Sequence, residues 1–219
     1  MNFNELLDKG EKRALLVSAT GTGKTYASAF AVKAAHPRKF LFVVYREQKA
    51  KQAIESYKHV FKGEDDKFGL LTGNSHDYDK EYLFITVQTM NKDHIYTRYS
   101  GDEFDYIDID EVHKAGADSY QKLFEYFTPK FYLGMSASPD RTDDFNIYEL
   151  FDYNVPLDIR LEDTLKEDLL CPFQYFGISD LEINGKVLTD ESEFRYLTSD
   201  ARVDYILEKS DFYGYSGSR

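Results

Sequence analysis

The sequence predicts an α/β fold built on a parallel sheet with helices on both faces, and three observations carry that prediction. Short apolar runs bounded by turn residues alternate with segments whose apolar residues recur at helical spacing, as in strand-helix-strand units. One apolar run leads directly into a glycine-rich octapeptide, Ser18-Ala-Thr-Gly-Thr-Gly-Lys-Thr25, followed by an alanine-rich stretch suited to a helix. Another ends in two adjacent acids, Asp110 and Glu111. The 219 residues suffice for one large α/β domain, or for one domain and part of another.

Along the chain, strands are expected at 15–17, 40–45, 68–72, 82–87, 106–109 and 131–135. Between them, Ala50, Ala53, Ile54, Tyr57, Val60 and Phe61 share one helical face, as do Tyr120, Leu123, Phe124 and Phe127. Beyond Leu157 the character changes. Leu161, Leu165 and Leu169 form a short helical stripe that Pro172 should stop, and 173–178 reads as a further strand. Asn184-Gly185 signals a tight turn between two short strands. A last helix is expected from Asp200 to Phe212, capped by Ser199 or Asp200. The expected division is therefore 1–157 for the main domain and 158–219 for a linker and an incomplete second element.

Composition narrows the function. No apolar run reaches membrane-spanning length and no charged-then-apolar leader opens the chain, so a soluble, cytoplasmic protein without membrane partners is expected. The one cysteine excludes an internal disulfide, and the histidines lack metal-ligand spacing, so no zinc is expected. Thirty-nine acids against 27 bases argue against nucleic-acid binding through overall charge. Locally, 33–67 carries nine Lys/Arg and five Asp/Glu, whereas 140–200 carries sixteen acids and five bases. The basic stretch is either a solvated face or a phosphate-contacting one.

The octapeptide reads as a phosphate-binding loop. Glycines at 21 and 23 let successive backbone N–H groups point into one hollow, and Lys24 adds a fixed positive charge. Thr25 offers a hydroxyl to Mg²⁺, and the following helix N-terminus favours the same anion. Thr20, Gly21, Thr22, Gly23, Lys24, Thr25 and Tyr26 are the candidate nucleotide-binding residues. At the end of the strand 106–109, Asp110 is placed to hold Mg²⁺ directly or through its water. Glu111 can accept a proton from an attacking water or orient it. Lys24, Asp110 and Glu111 are the candidate catalytic groups, with Thr25 and Asp110 as metal ligands.

Together the octapeptide and Asp110-Glu-Val-His113 resemble motifs I and II of superfamily 2 helicases and translocases. Residues 40–53 resemble motif Ia. Leu71-Thr-Gly73 and Ile85-Thr-Val-Gln-Thr89 resemble the next backbone-contacting segments, and Leu133-Gly-Met-Ser-Ala-Ser-Pro139 resembles motif III. All occur in the family's order, and 160–178 is similar to the segment entering the second motor domain of restriction-enzyme motors. Three positions depart from the commonest pattern, Ser18, Val112 and Ser138, and none removes a needed functional group.

The resemblance implies a RecA-like P-loop domain that uses ATP and Mg²⁺. It makes His113, Ser136 and Ser138 coupling residues between nucleotide and track, with a core histidine as the alternative for His113. It makes Arg46, Gly73, Gln88 and Thr89 nucleic-acid contacts, DNA being favoured over RNA, although an Arg after a strand is often a surface salt-bridge partner. It also implies a second RecA-like domain with an arginine for the γ-phosphate, for which 171–219 has no room. The chain is thus expected to be the first motor domain of an ATP-dependent helicase or translocase, weak or inactive alone. Alternatives are the motor of a restriction endonuclease and a nucleotide-gated nucleic-acid-binding module without turnover. A small-molecule kinase would need an Arg-rich lid that the acidic region after Asp140 does not supply.

Overall fold

Seven strands form one parallel sheet whose faces are both apolar, which is why the strands read as unbroken hydrophobic runs. The structure is a computed structural model, and it describes residues 5–6, 9–116, 118–139, 146–167, 170, 182–183, 186–187 and 200–212. The strands are β1 (Arg13–Ser18), β2 (Phe40–Val44), β3 (Phe68–Leu71), β4 (Tyr82–Thr86), β5 (Tyr106–Ile109), β6 (Phe131–Ser136) and β7 (Leu157–Ile159). Their order across the sheet is β3-β4-β2-β5-β6-β1-β7. The six expected strands all form. β7 was not anticipated; it adds to β1 through Leu16, Val17 and Ser18 and is half exposed at the sheet edge.

Alternation along each strand sorts the core into two layers. Phe40, Phe42 and Val44 point to one face, where α1 (Lys24–Ala35) and α2 (Glu47–Phe61) pack. The six buried residues of α2 are those of the expected stripe. Aromatic rings dominate this layer: Tyr57 lies 5.0 Å from Phe84 edge-on and 5.4 Å from Phe40 stacked. Leu41 and Val43 point to the other face, covered by the short helices α3 (Val87–Met90) and α4 (Asp93–Tyr96), by α5 (Asp118–Tyr126) and by α6 (Ile147–Leu150). Tyr120, Leu123 and Phe127 of the second expected stripe are buried there.

Chain contacts divide the molecule into two compact units, Met1–Cys171 and Pro172–Arg219. β7, which begins at residue 157, and the following α7 (Leu161–Lys166) lie in the first unit. Within the expected leucine stripe, Leu161 is exposed and Leu165 half-buried, and Thr164 is the buried residue of α7, its hydroxyl donating to Leu161 O at 2.7 Å. The second unit contains an antiparallel pair, β8 (Glu182–Ile183) and β9 (Lys186–Val187), and α8 (Asp200–Phe212), both as expected. The expected strand 173–178, Leu169 and Ser199 lie outside the described residues. Among the described residues, no helix is long and apolar enough to cross a membrane.

Two polar or steric details fix the sheet. Gly134 in β6 faces the fully buried ring of Phe151, and a Cβ there would approach three ring atoms closer than 3.0 Å. On the other face, Asp108 of β5 is fully buried and accepts hydrogen bonds from Ser28 of α1 and, at 3.1 Å, from Tyr57 of α2. Its other oxygen has no partner. Burial pushes its carboxyl up to about 7, against the two hydrogen bonds.

Two stability predictions follow from these contacts. Gly134→Ala overpacks the Phe151 site and should cost about 1–3 kcal/mol, read as a lower Tm in thermal unfolding followed by circular dichroism. For Asp108, the unfolded carboxyl loses its proton near pH 4 while the folded one keeps it to about 7, so native stability falls as pH rises through that window. Relative to Asp108→Asn, the unaltered chain should lose on the order of 2–3 kcal/mol between pH 5 and pH 8 in denaturant titrations. An equal gap between the two proteins at both pH values would contradict this assignment.

Candidate nucleotide site

The order β2-β5-β6-β1 places the carboxyl ends of four strands side by side, and with them the segments that the sequence singled out. The phosphate loop follows β1, Asp110-Glu111 follows β5, and the 136–138 segment ends β6. Their side chains open onto one cleft of about 460 Å³, lined by Thr20, Gly21, Gly23, Lys24, Thr25, Tyr26, Asp110, Glu111, His113 and Ser138. Ala137 lines it too, together with Lys49 and Ser56 from α2.

The loop has the geometry its glycines require. Gly21 and Gly23 take φ of 89° and 88°, a region that favours glycine over residues with a Cβ. Gly23 caps α1 without any side-chain hydrogen bond, leaving the first-turn N–H groups available to an anion. Thr22 braces the loop, its hydroxyl donating to Ala19 O at 2.6 Å and pairing with the Ser18 hydroxyl. The Lys24 ammonium donates to Ser18 O at 2.7 Å and Ala19 O at 3.0 Å. Burial lowers its pKa, partly offset by the charge of Asp110.

Across the cleft, Asp110 is anchored by its N–H, which donates to Val43 O at 2.9 Å. Burial raises the pKa of its carboxyl, against the hydrogen bond from the Glu111 N–H at 2.9 Å. Glu111 sits at φ 51°, a strained conformation for a residue with a long side chain. Its carboxylate accepts from Lys114 at 2.8 Å, the largest influence holding its pKa down. Lys114 also lies 4.5 Å from the centroid of Tyr45. His113 Nδ1 lies 3.1 Å from Ser136 Oγ, which in turn accepts from the Ser138 N–H at 3.1 Å. Ser136 thus joins the acid motif to the end of β6. The donor set fits a magnesium triphosphate: an N–H-lined hollow with a lysine, faced by the Thr25 hydroxyl and the Asp110 carboxylate.

The expected nucleic-acid residues lie along the same edge, after β2, β3 and β4. Arg46, Gly73 and Gln88 are exposed. Thr89 is buried and its hydroxyl accepts from Thr86 at 2.9 Å. Sequence reasoning missed Lys49 and Ser56, because they reach the cleft only through the packing of α2 beside α1. It missed Asp108 because a single acid within a short strand carries no pattern of its own.

Over 194 residues the chain is 26% identical to the type I restriction enzyme EcoAI endonuclease subunit of Escherichia coli, covering 83% of the chain and 23% of that protein. Over 162 residues it is 25% identical to a protein of Acanthamoeba polyphaga mimivirus named as an ATP-dependent RNA helicase, covering 74% of the chain and 30% of that protein. The chain therefore spans less than a third of the length of these curated relatives. Its fold matches the Pyrococcus furiosus Hef helicase domain, with TM-score 0.59 and 21% identity over 72% of the chain and 37% of that structure. It also matches the UvsW helicase of bacteriophage T4, with TM-score 0.52 and 16% identity over 69% of the chain and 56% of that structure. The likeness to these structures shows the fold, a RecA-like α/β domain of the kind found in these helicases. Residues 1–141 match the family model described as type III restriction enzyme, res subunit, and the chain belongs to that family.

Proposed function

We propose that this chain is the first motor domain of an ATP-dependent nucleic-acid translocase or helicase, with DNA as the track and a restriction-type assembly as its setting. The observation that supports it most is the convergence of Lys24, Thr25, Asp110 and Glu111 on one cleft that Ser136 links to His113. In this reading the loop N–H groups and Lys24 bind the phosphates of ATP, while Thr25 and Asp110 hold Mg²⁺. When bound, the metal supplies charge neutralisation at the phosphate oxygens. Glu111 orients the attacking water or takes its proton, and its hydrogen bond from Lys114 makes it a weaker base for the second role. Arg46, Gly73 and Gln88 face the track, Thr89 is buried behind them and bonded to Thr86 rather than contacting it, and His113, Ser136 and Ser138 report nucleotide state to it. The restriction subunit relative supports DNA, and the viral relative named as an RNA helicase is the reason to test RNA beside it.

A second RecA-like domain completes the active site in this reading by supplying an arginine worth a factor of about 10³–10⁵. The chain alone then binds Mg·ATP weakly and turns it over little. The ion pair of Glu111 with Lys114 favours one competing reading, a module that senses ATP without hydrolysing it.

Lys24→Ala should weaken Mg·ATP binding to this chain by about 10- to 100-fold, the worth of charge-assisted hydrogen bonds to phosphate, measured by calorimetry. In a chain extended to include the second domain, ATPase activity should rise on adding DNA at stated salt and collapse in Lys24→Ala and Glu111→Gln. Absence of nucleic-acid stimulation there, or activity indifferent to Lys24→Ala, contradicts the motor reading. Trapped ATP in the Glu111→Gln protein separates turnover from sensing.

A further inference from the structure

Of the nine basic residues between 33 and 67, six have their charge engaged within the protein. Lys33 donates to Val60 O at 2.6 Å, Arg38 and Lys39 pair with Asp105 and Glu103, and Lys51, Lys58 and Lys67 pair with Glu47, Glu55 and Glu64. The side chains of Arg46, Lys49 and Lys62 make no hydrogen bond or ion pair among the described residues. Arg46 and Lys49 stand together at the start of α2, and Lys49 alone of the three lines the nucleotide cleft.

Its position there runs against local energetics. A cation in the first turn of a helix opposes the helix dipole, and in that turn of α2 it is Glu47, not Lys49, that favours it. Such a local inconsistency is expected where a residue serves a site rather than its own helix. The Lys24 ammonium already gives two hydrogen bonds to loop carbonyls. Among the described residues lining the cleft, Lys49 is therefore the lysine whose charge is uncommitted.

Resting on the nucleotide reading above, we infer that Lys49 is a second phosphate-binding cation, supplied by α2 to the terminal phosphate of the bound nucleoside triphosphate. The phosphate loop and Lys24 line the cleft from the β1 side, and Lys49 lines it from α2. A terminal phosphate in the cleft faces like charges at Asp110 and Glu111, and a second lysine offsets that repulsion. A diphosphate does not reach as far and gains less. The contact also places a nucleotide-sensing charge three residues from Arg46, on the turn expected to face the track.

Calorimetry of Mg·ATP and Mg·ADP binding to the 219-residue chain tests this. Lys49→Met should weaken Mg·ATP by about 3- to 5-fold, the upper worth of an exposed charge pair, and Mg·ADP by less than about 1.5-fold. Lys49→Arg, which keeps the charge, should retain the preference for the triphosphate. Equal losses for both nucleotides, or no loss, overturn the assignment. Lys24→Ala weakens both nucleotides and so reports on the site as a whole; failure of the unaltered chain to bind Mg·ATP overturns the nucleotide reading itself. Should Lys49→Met not fold, as judged by thermal unfolding, Lys49→Gln carries the same comparison.

Discussion

Covering both faces of a parallel sheet with apolar side chains leaves polar chemistry little place except the strand ends, and that constraint organises this molecule. β2, β5, β6 and β1 are buried along nearly their whole lengths. The residues that emerge at their carboxyl ends are the first that can hold charge beside water. Because the strands are parallel and adjacent, those ends lie on one edge, and segments far apart in sequence converge there. The cleft is thus a consequence of strand order rather than of any one motif.

Asp108 is the exception inside the sheet, and its partners explain why it is tolerated. Ser28 and Tyr57 belong to α1 and α2, the two helices whose amino ends form one wall of the cleft. Their hydrogen bonds to a single carboxyl on β5 tie that wall to the strand that delivers Asp110. A buried polar group costs stability unless it is satisfied, and here one oxygen remains without a partner. What the group gives in return is a fixed relation between α1, α2 and β5, which an apolar side chain would hold less specifically.

Much of this was legible in the sequence, and the reasons for the rest are physical. The strands and the buried face of α2 were readable because burial imposes a period on local sequence, and Ala50 to Phe61 shows it clearly. The phosphate loop was readable because left-handed φ at Gly21 and Gly23 demands glycine. β7 escaped because an edge strand needs little apolar content; Leu157 and Asp158 are exposed and its pairing is with backbone. In α7 the leucine spacing marked the helix but not its buried residue, since Thr164 satisfies its hydroxyl on Leu161 O and can turn inward. Lys49 could not be found at all without the packing of α2 beside α1, a long-range fact that no local pattern encodes.

The electrostatics of the cleft describe a site at rest. Lys24 is bonded to the loop's own carbonyls, and Glu111 is bonded to Lys114. A carboxylate held by an ammonium is a weaker base, since the pair stabilises its charged form. Any reaction in which Glu111 receives a proton must therefore loosen that pair. Lys114 lies over the ring of Tyr45, which is exposed and immediately precedes Arg46. Lys114 therefore joins the end of β2 to the carboxylate that follows β5, touching Tyr45 on one side and Glu111 on the other, so the basicity of Glu111 depends on a residue anchored outside its own strand.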